Sequence, residues 1–64
     1  MIIYFSESFK KLRRGKGLTQ EQAADVFGIS PQAVSRWECG TTTPDISLLP
    51  TIADYFDVTI EELL

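Results

Sequence analysis

Gln32, Ser35 and Arg36 set an amide, a hydroxyl and a guanidinium close together in one short stretch of the chain. If residues 30–39 are helical, side chains advance by about 100° per residue. Gln32, Arg36 and Cys39 then lie on one side with Ser35 beside them. Val34 and Trp37 share the opposite side, with Glu38 at its edge. A carboxamide offers a donor and an acceptor side by side, which matches N6 and N7 of adenine. A guanidinium offers two donors, which match O6 and N7 of guanine. Ala33 and the ring of Pro31 add apolar surface suited to a thymine methyl. Residues 31–36 therefore have the chemistry to read base edges. Any surface helix also shows polar groups outward, so the reading depends on what holds this segment in place.

Other chemistries have little to draw on. The sequence holds no His, which removes the commonest general base and metal ligand. Its one Cys cannot close an intrachain disulfide or build a zinc site, and it suits a reduced, cytoplasmic setting. The carboxylates are scattered, and no His stands beside the thiol. No enzyme activity, cofactor, metal or small-molecule ligand is expected. A chain of 64 residues buries only about 60% of its unfolded surface, so a deep pocket would consume the core. Surface binding is the better expectation. The apolar opening Met1-Ile2-Ile3-Tyr4-Phe5 is too short for a signal core or a membrane span. Net charge is −3, but it is unevenly spread. Residues 1–40 hold all six basic side chains against four acids, giving +2, whereas residues 41–64 hold five acids and no base, giving −5. The split points to two faces with different partners or none, so the total charge does not decide the matter.

Dense punctuation predicts short helices joined by tight turns. Phe5, Phe9 and Leu12 mark one face of a helix beginning near Ser6, with Glu7 in its first turn and Gly15 and Gly17 stopping it. Thr19 and Gln22 fit a capping box that opens a second helix, with Ala23, Ala24 and Phe27 inward and Gly28 at its left-handed end. Ile29 alone separates that end from Ser30, an N-cap with Pro31 at the first helical position. The third helix runs to Gly40, and Thr41-Thr42-Thr43-Pro44-Asp45 forms a polar loop. A fourth helix carries Leu49, Ile52, Ala53 and Phe56. Asp45 as its N-cap would push Pro50 into the helix interior, so Ser47 is expected as N-cap, with Pro50 in the first turn. Asp57 closes it, and a second capping box, Thr59 with Glu62, opens a last short helix.

Two short helices around a glycine turn make a helix-turn-helix, here at about residues 19–39. The stretch from Thr19 to Gly40, TQEQAADVFGISPQAVSRWECG, resembles the lambda-repressor/Cro-like (XRE-type) DNA-binding domains. The match rests on Leu18-Thr19-Gln20, Ala24, Gly28, Ser30, Gln32, Val34-Ser35, Trp37-Glu38 and Gly40, then Pro44-Asp45 and the ending through Glu62-Leu63-Leu64. It implies an all-α, compact five-helix domain spanning residues 1–64, with its third helix in the DNA major groove. Gln20, at the N-terminus of the second helix, is suited to clamp a phosphate, and the resemblance implies the same role. Ser30 is a cap first and a phosphate donor second. The resemblance implies backbone contacts from the Thr41, Thr42 and Thr43 loop. It further implies an Arg13–Glu38 bridge. Arg13 is also a candidate phosphate contact, along with Lys10, Lys11, Arg14 and Lys16. Three departures stand out: Ala23 where Leu is usual, Cys39 where a longer polar residue is usual, and the apolar Met1–Tyr4 arm.

The reading is a transcriptional regulator, a repressor acting by occlusion, that binds a pseudo-palindromic double-stranded operator as a homodimer. Its rival is a protein-interaction or antitoxin module that uses the acidic C-terminal half. The stop inside a capped helix suggests the N-terminal part of a longer protein. Trp37 is expected in the core rather than stacked on a base.

Overall fold

The computed structural model describes residues 3–63, with side chains from residue 5 onward. The helices run α1 (Ile3–Gly15), α2 (Gln20–Phe27), α3 (Pro31–Cys39), α4 (Leu49–Phe56) and α5 (Ile60–Leu63), with a 3-10 turn (Ile46–Leu48) leading into α4. The architecture is all-α with five helices, and no strand occurs among the described residues. No described helix is long and apolar enough to cross a membrane.

Local chemistry sets most of the boundaries. Thr19 Oγ1 accepts from the Gln22 amide at 3.0 Å, and Gln22 Oε1 accepts from the Thr19 amide at 2.9 Å. This reciprocal pair satisfies two N–H groups that would otherwise be orphaned at the start of α2. Gly28 ends α2 at φ 68°, its N–H turned back to the Ala24 and Asp25 carbonyls. Thr59 and Glu62 repeat the box at α5, at 2.8 and 3.1 Å.

Two starts differ from the sequence expectation. α1 begins at Ile3 rather than near Ser6, which puts Ser6 inside the helix and Glu7 past its first turn. The cause is tertiary: Phe5 is buried, its ring 5.9 Å from that of Trp37, and this packing extends the helix by a turn. The expected Met1–Tyr4 arm lies partly outside the described residues; where described, its backbone at Ile3 and Tyr4 belongs to α1. The second correction concerns Ser47, which is not the cap of α4. Ser47 Oγ donates to Asp45 Oδ2 at 2.5 Å, and the chain passes through the 3-10 turn before α4 begins at Leu49. Pro50 still falls in the first turn, where its missing N–H breaks no helical bond.

Phe9 sits at the centre of the core, fully buried. Its ring lies 5.4 Å from Trp37 and 5.8 Å from Phe56, both edge to face, and 6.1 Å from Phe27. One aromatic residue of α1 therefore touches an aromatic residue of α2, of α3 and of α4. Val34, Ala23, Ala24, Ile52, Ala53 and Leu63 fill the space around these rings. Ala23 is fully enclosed despite its small side chain. Outside the core, Lys16 Nζ lies 4.7 Å above the Tyr55 ring, which ties the turn after α1 to α4.

Candidate nucleic-acid interface

Gly28, Ile29 and Ser30 alone join α2 to α3. The Ile29 amide donates to the Ala24 carbonyl at 3.0 Å, and the Ile29 side chain packs against the core. Ser30 Oγ accepts from the Ala33 amide at 3.1 Å, and Pro31 supplies a preset φ at the helix start. A turn this short, bonded and anchored at both ends fixes the angle between the two helices.

α3 is held by its inner side. Val34, Trp37 and Glu38 are buried, whereas Pro31, Gln32, Arg36 and Cys39 are exposed, and Ala33 and Ser35 are half-buried. Gln32, Arg36 and Cys39 fall one helical turn apart on the outer surface. The amide and the guanidinium that sequence pattern singled out thus share one outward stripe. Pro31 stands at its start, and Ala33 and Ser35 flank it with less surface.

Arg13 reaches across to α3. Its Nε donates to Glu38 Oε2 at 2.6 Å and its Nη2 to Glu38 Oε1 at 3.1 Å, while Nη1 donates to the Leu18 carbonyl at 2.7 Å. The two side chains are only 10% and 3% exposed. Arg13 forms the expected bridge and keeps little exposed surface of its own. A buried cation without its carboxylate would be costly, so the bridge holds Arg13 in place.

Gln20 is half-buried at the first position of α2, and its Nε2 donates to Glu38 Oε1 at 3.1 Å. Sequence reasoning missed this bond, because 18 residues separate the partners and no local spacing signals it. Ser30 is exposed but already accepts the capping bond. Thr41, Thr42 and Thr43 are exposed. The Thr41 and Thr42 amides, however, turn back to the Arg36 carbonyl at 3.0 and 3.5 Å. That leaves the threonine side chains, rather than those two amides, for outside contacts. Lys11, Arg14 and Lys16 are exposed on and just after α1. A groove of about 270 Å³ between α1 and the α4–α5 end, lined by Ser8, Lys11, Leu12, Val58 and Glu62, contains none of the α2 or α3 residues named above.

Comparison with known proteins matches residues 9–63 to a helix-turn-helix family model. The HTH-type transcriptional activator BcrR of Enterococcus faecalis is 47% identical over 60 residues, covering 94% of this chain and 29% of that protein. The cryptic phage CTXphi transcriptional repressor RstR of Vibrio cholerae is 30% identical over 60 residues, covering 94% of this chain and 54% of that protein. The chain thus spans well under two thirds of either relative. Among solved structures, the restriction-modification controller protein C.AhdI from Aeromonas hydrophila superposes with a TM-score of 0.84 at 27% identity, covering 98% of this chain and 96% of that one.

Proposed function

The chain belongs to the helix-turn-helix family, and from that premise we propose that it binds double-stranded DNA, laying α3 in the major groove, and regulates transcription. The observation that carries this reading is the outward stripe of Gln32 and Arg36 on a helix clamped at both ends and buried along its inner side. Side chains that must discriminate between bases need such a rigid mount. Gln32 reads a base edge, Arg36 takes a guanine or a flanking phosphate, and Gln20, Ser30 and the threonine loop grip the backbone.

The regulator acts as a repressor by occluding a promoter. Relatives named an activator and a repressor both match this chain over 60 residues, and occlusion needs nothing beyond a DNA-bound domain placed over a promoter. Two copies bind a pseudo-palindromic site with half-sites about 34 Å apart, one helical turn. Selection of bound sequences from a randomised duplex pool tests the whole reading. An inverted repeat with that spacing is expected to emerge, bound less tightly as salt rises. A pool that stays random after selection would overturn it. A reporter with the selected site placed over and then upstream of its promoter tests repression. Output is expected to fall only in the first arrangement.

A further inference from the structure

We infer that Glu38 is a positioning residue for DNA binding, which holds the Gln20 carboxamide against the place where a backbone phosphate docks. The inference rests on the proposed phosphate contact of Gln20 and says how that contact is prepared. Gln20 opens α2 at the protein surface, where a long amide side chain left to itself would sample several rotamers. Here it does not, because its Nε2 donates to Glu38 Oε1 at 3.1 Å. A carboxamide nitrogen carries two N–H groups, so one binds Glu38 and the other remains for an outside acceptor.

Glu38 cannot wander either. Its two carboxylate oxygens take two donors from Arg13, at 2.6 and 3.1 Å, and Arg13 is itself tied to the Leu18 carbonyl at 2.7 Å. A continuous line of hydrogen bonds thus runs from the end of α1 through α3 to the first residue of α2. It contains an anion behind a proposed phosphate site, which alone would repel the ligand. The guanidinium neutralises that anion, so the carboxylate orients Gln20 without adding net negative charge. Glu38 also lies in the last turn of α3, so the bond fixes the backbone grip relative to the base-reading stripe on the same helix.

The test is a cycle in duplex affinity. Arg13→Met with Glu38→Leu replaces the buried pair by apolar side chains of similar size, an exchange that often preserves stability. It also leaves net charge unchanged, and an unchanged salt slope is expected because the Arg13 cation is spent on Glu38 rather than on a phosphate. In the parent, Gln20→Ala is expected to weaken binding to any duplex roughly tenfold. The Arg13→Met/Glu38→Leu variant is expected to lose severalfold by itself, and Gln20→Ala added to it is expected to cost no more than about twofold. A tenfold cost in both backgrounds, or a double variant that binds like the parent, overturns positioning while leaving the phosphate contact standing. No cost of Gln20→Ala in the parent overturns the contact itself and the inference with it. A measurement on the unaltered protein guards against a misfolded variant. Side-chain NMR of the DNA-free protein is expected to show Gln20 in a single rotamer, and a rotamer-averaged carboxamide would overturn the proposal.

Discussion

Gln32 and Arg36 are exposed one turn apart, but their chemistry separates them at the level of single side chains. Gln32→Ala is expected to cost about 1–3 kcal/mol on the selected operator and almost nothing on scrambled duplex. Because glutamine is neutral, its loss should leave the salt slope alone. Arg36→Ala is expected to weaken binding too. Lost discrimination marks a guanine contact, and roughly one unit of lost slope with preference intact marks a phosphate contact. Titrations of each variant on both duplexes at several salt concentrations check all of this. Stability is at stake in the bridge behind them. Arg13→Ala or Glu38→Ala alone strands a buried charge and is expected to cost about 3–5 kcal/mol by denaturant unfolding. A smaller residue-scale effect lies at Asp45. The Ser47 hydroxyl and nearby backbone N–H groups hold its carboxyl below the ordinary value of 3.8. A carboxyl lowered on folding adds stability above its unfolded pKa, and that contribution fades as pH falls through the folded value. Ser47→Ala is therefore expected to return the Asp45 titration, followed by NMR, toward the ordinary value.

At the level of elements, two glycines in similar open space should respond in opposite directions to the same substitution. A Cβ added at Gly28 or Gly15 meets nothing within 4 Å, so neither outcome is a matter of collision. Gly28 caps α2 at φ 68°, where an L side chain is strained, and Gly28→Ala is expected to destabilise by about 1–2 kcal/mol. Gly15 is the last residue of α1 without a positive φ, and Gly15→Ala is expected to stabilise by about 0.5–1 kcal/mol. Thermal unfolding of the two variants decides both. The same locality explains which elements sequence alone revealed. The starts of α2, α3 and α5 are written within four residues by Thr19 with Gln22, Ser30 with Pro31, and Thr59 with Glu62, so all three were legible. The outward stripe on α3 was legible for the same reason, since helical periodicity is local. The start of α1 was not, because a ring on α3 fixes it. Neither was the 3-10 entry to α4, where Ser47 turns to Asp45 instead of capping. In the candidate site, the bond from Gln20 to Glu38 crosses between helices, beyond the reach of any periodicity.

For the molecule as a whole, Phe9 is the residue expected to make unfolding a single event. Its ring meets Phe27, Trp37 and Phe56 from three other helices, and Phe9→Ala is expected to cost about 3–5 kcal/mol. A domain of 64 residues holds only about 3–10 kcal/mol in total, so all helices should be lost together in that variant's melt. DNA is expected to act in the other direction. At a free duplex concentration of about 100 Kd the folded state gains about 2.7 kcal/mol, and the midpoint of a thermal melt should rise accordingly. Trp37 and Cys39, the chain's one tryptophan and one cysteine, stand two residues apart on opposite sides of α3, the indole buried and the thiol exposed beside Arg36. They form a pair of built-in reporters placed back to back. Indole fluorescence counts folded molecules and should barely change with DNA. The rate at which a thiol reagent consumes Cys39 should fall as duplex covers the outer side of α3, and so counts unoccupied ones. Read from parallel aliquots, the two signals distinguish a variant that has lost its fold from one that has lost only its grip on DNA, with no engineered reporter residue.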